Sequence, residues 1–171
     1  SSPTAAEGDI IITEIMKDPS KVTDANGEYF EVYNTTSSDI DMYGWIISDD
    51  GSESHTINST VIVNAGDYAI FCINSNSSTN GGVIADYQYN SFSLGNDDDE
   101  IVLTNNGTEI DRVVYDNGTN FPDLTGESIE LHLFYYDAIS NDNGSNWGAA
   151  TTAYGIGDLG TPGAENDFGL S

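Results

Sequence analysis

Glu14, Asp18, Glu28 and Glu31 are the side chains of this chain whose types and spacing bear most directly on chemistry. Glu14 falls in one apolar β-rich run and Glu31 in the next, so the two are expected to be close neighbours. Asp18 and Glu28 flank the intervening loop. Carboxylates brought close cannot all stay ionised cheaply, and a hard cation with oxygen ligands relieves them. The four therefore define a candidate calcium site bracing residues 17–28; solvated or backbone-capping carboxylates are the other reading. Asp97-Asp98-Asp99-Glu100 is the densest acidic run. It lacks the alternating ligands and central Gly of an EF-hand loop and reads as an exposed hairpin approach, with calcium binding as the other reading. Asp24–Glu28 and Asp142–Gly144 read as turns.

Other catalytic groupings are missing. His55 and His132 are the only imidazoles and form no short-spaced metal pair. No Gly-x-Ser-x-Gly occurs. Two carboxylates suffice for a glycosidase, so an independent hydrolase stays open at this stage with nothing in its favour. Cys72 is alone inside the apolar run Ala69–Ile73, and a buried inert thiol is expected there. Trp45 and Trp147 are candidates for sugar stacking, with packing in the core as the other reading. Tyr87, Tyr89, Phe92, Tyr135 and Tyr136 are candidates for an exposed aromatic strip able to take a sugar or a partner. Six Asn-x-Ser/Thr sequons, at Asn34, Asn58, Asn76, Asn106, Asn117 and Asn143, follow from an Asn/Ser/Thr-rich composition.

These residues sit on a chain with 29 acidic and three basic side chains, a formal net charge of -26. Such a surface repels nucleic acid and anionic membranes and attracts cations and basic proteins. Charged residues make up only 19% of the chain, so the imbalance comes chiefly from missing Lys and Arg. A salty extracellular or cell-surface setting is expected. No stretch is long and apolar enough for a membrane span. The carboxylates are expected mostly in turns and on strand edges, where they discourage edge pairing.

The positioning elements read as strands. Ile and Val together outnumber Leu, and there are ten Tyr, which suits a pleated, half-buried surface. Strands are expected over Ile10–Lys17, Glu28–Asn34, Asp39–Ser48, His55–Val63, Tyr68–Ile73, Val83–Tyr89, Glu100–Thr104, Glu109–Tyr115 and Ser128–Phe134. Within Glu28–Asn34, Phe30 and Val32 face one way and Tyr29, Glu31 and Tyr33 the other. Asn106-Gly107 between two β-rich runs predicts a type I′ hairpin. Asn74–Gly82 is a polar excursion. Beyond Tyr136 the chain reads as an ordered strap that docks Trp147 and Tyr154 onto the sheets. Residues 1–8 read as a linker, which suggests a segment of a longer, multidomain chain; 9–166 form the domain and 167–171 a tail.

Several segments, in order, resemble the lamin tail domain family. Ile12–Met16 with Asp18-Pro19 is similar to its first strand. Gly27–Asn34, Asp41–Asp49 and Ser93–Leu103 are similar to the segments that follow. Val113–Asp116, Gly126–Leu131, Asn146-Trp147 and Gly160–Asn166 are similar to its closing half. Asp18 stands where the family usually has Asn, and Asp97–Asp99 is more acidic than its usual turn. The resemblance implies an all-β, immunoglobulin-like antiparallel β-sandwich with a long C-terminal strap, and no common catalytic residues. It also implies an accessory setting in secreted or surface proteins of bacteria. The functional expectation is a non-catalytic interaction module (binding, adhesion or spacing) with no nucleic-acid partner and an unidentified protein or glycan ligand. The alternative is a calcium-dependent carbohydrate-binding module associated with a secreted hydrolase.

Overall fold

The computed structural model describes residues 4–170. In chain order the strands are β1 (Ile10–Met16), β2 (Tyr29–Asn34), β3 (Ile40–Asp41), β4 (Ile46–Ser48), β5 (Ser54–Thr56), β6 (Ile62–Val63) and β7 (Tyr68–Cys72). They continue with β8 (Tyr87–Gln88), β9 (Asp98–Asn105), β10 (Thr108–Asp116), β11 (Ile129–Leu131), β12 (Trp147–Ala149), β13 (Ala153–Tyr154) and β14 (Asp158–Leu159). Apolar side chains alternate along these runs and must be buried. They are buried between a six-stranded sheet, β12-β11-β1-β2-β7-β8, and a four-stranded sheet, β10-β9-β4-β5. Two-stranded ribbons, β3-β6 and β13-β14, complete an all-β immunoglobulin-like sandwich.

The core between the sheets holds Ile10, Ile15, Phe30, Val32, Trp45, Phe71, Leu103 and Val113 among others. Phe30 stacks on Phe71, with ring centres 5.2 Å apart, and on Tyr89 at 5.8 Å. Trp147, the first residue of β12, is buried and donates its indole N–H to the Asn141 carbonyl at 2.9 Å. The β9–β10 hairpin turns on Asn106 and Gly107 at φ 50° and 79°, the two positive values a type I′ turn requires.

Some expectations change. β8 pairs in parallel with β7, so the sandwich is not wholly antiparallel, and Val83–Tyr89 contributes only Tyr87-Gln88 to the ladder. The expected strand 55–63 splits into β5 and β6 around a non-strand stretch. Asp24–Gly27 is a single helical turn. β11 stops at Leu131, and His132 caps a short 3-10 turn through Nδ1 to the Phe134 N–H. The excursion 74–82 is pinned from inside: buried Asn80 donates to the carbonyls of Asn74 and Val83 and accepts from the amides of Gly82 and Val83.

The strap docks as expected and runs past residue 166. Tyr154 packs edge-on against Tyr29 at 5.8 Å. Asp167 accepts from the amide and hydroxyl of Thr151. The Phe168 ring lies so close to Gly148 that a Cβ there would strike it. Of the expected linker, residues 1–3 lie outside the described residues; Ala5 packs against the core and the Gly8 amide bonds to the Ile110 carbonyl. Of the expected tail, residue 171 also lies outside them.

Candidate functional site

The site begins with a bulge. Strand β1 pairs Ile12 with Val32 and then Glu14 with Glu31, so Thr13 is one residue too many. A bulge leaves backbone groups without ladder partners, and buried ones must find partners elsewhere. Three distant side chains supply them. The Ile12 amide donates to Asp111 Oδ2 at 2.7 Å. Asn141 Nδ2 donates to the Ile12 carbonyl at 3.2 Å and to Asp111 Oδ2 at 2.7 Å. Asn166 Nδ2 donates to the Thr13 carbonyl at 2.7 Å and to the Leu131 carbonyl at 3.0 Å.

The same bulge sets Glu14 opposite Glu31 on β2 and Glu130 on β11. Three glutamates thus stand in a row across three adjacent strands. They lie on the face of the six-stranded sheet turned away from the main core, and all three are fully buried. Residues 160–168 of the strap roof them. Tyr29 Oη and Ser128 Oγ donate to Glu14 Oε2 at 2.5 and 2.7 Å, joined by the Thr161 amide at 3.1 Å. Thr13 Oγ1 donates to Glu31 Oε1, and the Gly163 amide to Oε2, each at 2.8 Å. The amides of Asp167 and Phe168 donate to Glu130 Oε2 at 2.8 and 3.0 Å. Gly160 carries no side chain because a Cβ there would collide with the Tyr29 hydroxyl and come within 2.7 Å of Glu14 Oε2.

The row contains more acceptors than donors. The single Thr161 hydroxyl proton faces Glu130 Oε1, Glu14 Oε1 at 3.3 Å and Asn166 Oδ1 at 3.4 Å. A carboxyl proton on Glu14 or Glu130 lets Thr161 accept from one acid and donate to the other. Electrostatics agree with this count. Burial raises the pKa of Glu14. Burial and the neighbouring Glu14 charge hold Glu31 well above the carboxylate range and push Glu130 up to about 8. Burial also pushes Glu28 and Asp111 up to about 8.

The four candidate calcium ligands do not converge. Glu14 and Glu31 are neighbours, but the hydroxyls and amides named above occupy their oxygens. Asp18 Oδ2 instead accepts from Thr125 Oγ1 at 2.6 Å. Glu28 Oε1 accepts from the Leu94 amide at 2.6 Å. Among the described residues, no three His, Cys, Asp or Glu side chains are grouped to hold a metal ion. The bracing of residues 17–28 comes from protein groups. Buried Asp158 accepts from the Ser20 amide and hydroxyl and the Lys21 amide, and Lys17 pairs with Asp123 at 2.5 Å. Chelation with EDTA should therefore leave the melting temperature unchanged, as read by calorimetry with and without added calcium. A chelator-induced drop that Glu31→Gln abolishes would restore the calcium site.

Most of the remaining candidates are packed or tied into the fold. His55 is buried, with Nε2 2.6 Å from Tyr87 Oη. Cys72 is buried and its thiol is pushed up to about 12 by that burial. Asp99 Oδ2 accepts from the Gly95 amide at 2.7 Å, tying the acidic run to its own hairpin approach. Tyr87, Tyr89 and Phe92 are buried and form no exposed strip; Tyr135 and Phe134 do reach solvent. Glu130, Asp111, Thr161, Asn141 and Asn166 did not stand out in the sequence. Only the alternation of Ser128 and Glu130 against Ile129 and Leu131 hinted that an acid shares a strand face.

At the β9–β10 turn end of the sandwich, opposite the Asp18 loop, lies an open groove of about 680 Å³. Asp9, Asp39 and Asp41 line it, with Tyr43, Trp45 and Asn106. Tyr43 is 63% exposed, whereas Trp45 is buried in the core.

The domain is thus an immunoglobulin-like sandwich with a row of buried acids roofed by its own C-terminal strap. The chain is a member of the lamin tail domain family, whose description matches residues 3–117. β11, β12 and the strap lie beyond the matched residues. No curated protein matches the chain.

Proposed function

We propose that this domain is a non-catalytic interaction module of a larger secreted or cell-surface bacterial protein, and that it meets its partner at the β9–β10 turn end. The groove there carries the reading: it is wide enough for a small ligand or a peptide side chain, and three separate loops build it. The acids that could do chemistry elsewhere are committed to internal hydrogen bonds. The highly acidic composition supports an extracellular setting. The calcium-dependent carbohydrate module has less behind it, because three of the five aromatics proposed for its strip are packed in the core.

Peptide and glycan arrays probed with and without calcium test the proposal. Ser38 is exposed and lines the groove, and it holds the neighbouring loop through its backbone amide and carbonyl, which a side-chain change leaves in place. A Ser38→Trp change should therefore block the groove without unfolding the chain. Hits that disappear with Ser38→Trp support the reading. Hits that persist, or turnover of a substrate, overturn it. Calcium-dependent glycan hits at the exposed Phe134–Tyr135 surface would favour the carbohydrate module instead.

A further inference from the structure

The chemistry of the groove narrows its ligand, resting on the interaction reading above. Its three acids are fixed in the same way. Asp41 Oδ1 accepts from the amides of Tyr43 and Val61, each at 3.0 Å. Asp39 Oδ1 accepts from the Ala65 amide at 2.9 Å, and Asp9 Oδ2 from the Ala6 amide at 2.8 Å. Each side chain is oriented by one oxygen, and the other makes no hydrogen bond among the described residues. Among the described residues, no Lys or Arg lines the cavity. The Tyr43 ring stands exposed beside them.

We propose that this groove docks an arginine-bearing segment of a basic protein partner. A guanidinium presents a planar fork of N–H donors that matches carboxylate oxygens and stacks on an aromatic face. Here, oriented carboxyl oxygens and an exposed tyrosine line one cavity. The formal charge of -26 speeds the encounter with a cationic partner. A neutral sugar would gain nothing from that charge, although Tyr43 and the groove's polar residues could contact one.

The test is a heteronuclear NMR titration of the whole chain with the capped peptide Gly-Arg-Arg-Gly, at about 0.1 M salt so that distant charges are screened. The same peptide with citrulline for arginine is the neutral, near-isosteric control. Shifts should centre on the amides of Tyr43, Gly44 and Asn106, and citrulline should weaken binding at least about tenfold. The double change Asp39→Asn/Asp41→Asn keeps the oxygens that accept from Ala65, Tyr43 and Val61, so the loops should hold. It too should weaken binding about tenfold. Asp97→Asn/Asp98→Asn, in the acidic run leading into β9, should change it less than about twofold. Tyr43→Ala should weaken binding while leaving the melting temperature unchanged.

Equal losses from the Asp97/Asp98 pair, or shifts spread over the acidic surface, would mean nonspecific charge attraction and overturn the proposal. A neutral oligosaccharide that shifts the groove amides while the peptide does not would also overturn it, but would leave the interaction reading standing. If no array hit depends on the groove and neither probe shifts its amides, both fall.

Discussion

Lowering the pH from 8 to 5 should stabilise this protein by on the order of 5 kcal/mol, raising its melting temperature by at least about 10 °C. The sign follows from the buried acids. Glu28, Asp111 and Glu130 are pushed up to about 8 in the folded chain, and burial raises Glu14 and Glu31 as well. Unfolded, the same groups titrate near 4 to 4.5. Between those limits the folded state binds more protons than the unfolded one, so stability falls as pH rises. Their contribution is fully present below about pH 4 and is lost as pH climbs through 8. One proton held over one pH unit is worth about 1.4 kcal/mol, and several such groups titrate together here. Relief of the general acidic repulsion acts in the same direction, so a variant must separate the two. Glu130→Gln keeps an acceptor for the amides of Asp167 and Phe168 and offers Thr161 a donor, while removing one titration. It should flatten part of the slope seen by calorimetry between pH 5 and 8. A wild-type profile that is level or rises over that range would contradict the assignment. Below about pH 4 the trend should reverse, because acids held low in the fold, such as Asp137 with its bond from the Ser140 amide, must then take up protons.

Asn166→Ala should cost about 2–5 kcal/mol and lower the melting temperature by about 5–15 °C. Asn166 is fully buried, and its amide joins the bulge carbonyl of Thr13 to the terminal carbonyl of β11. Alanine leaves both carbonyls buried without these donors, each at about 1–3 kcal/mol. It also frees the strap between Gly163, which holds Glu31, and Asp167 and Phe168, which hold Glu130. Cys72 reports on that release. It packs under the strap-side cluster with Tyr29, Ile70 and Val83, against which Tyr154 also rests. Maleimide labelling of Cys72 should accelerate in Asn166→Ala below the melting transition, as expected when one segment opens before the whole. A melting temperature within about 2 °C of wild type with Cys72 still protected would show that the strap is held by something else.

How much of this was legible depended on the range of the interaction. The two-residue alternation and the Asn106-Gly107 turn marked β1, β2, β9 and β10 because those signals are local. The pairing of Glu14 with Glu31 followed from two adjacent strands joined by a short loop. The third member, Glu130, arrives from the far end of the chain, and nothing in a strand's own pattern names its neighbour. The acids misled for a related reason. Isolated acidic residues usually face solvent, so turns and edges were expected. Yet Glu14, Glu28, Glu31, Asp111, Glu130 and Asp158 are all buried, because hydroxyls and amides of remote segments cover them. The aromatic strip failed because Tyr87, Tyr89 and Phe92 lie in short irregular segments, where burial comes from tertiary packing and local sequence carries no phase. The groove depends on three loops meeting at one end, a juxtaposition that only the sheet order reveals.

The row Glu14, Glu31 and Glu130 works as an internal clamp only if it carries bound protons. Site-resolved carbon NMR of the glutamate side-chain carboxyls, followed from pH 3 to 10, reads it directly. Glu130 should titrate with a midpoint near 8, Glu31 should stay protonated well above the carboxylate range, and burial should raise the Glu14 midpoint above that of a free carboxylate. All three titrating together near pH 4 to 4.5, as free carboxylates do, would show the row to be solvated and would contradict the clamp.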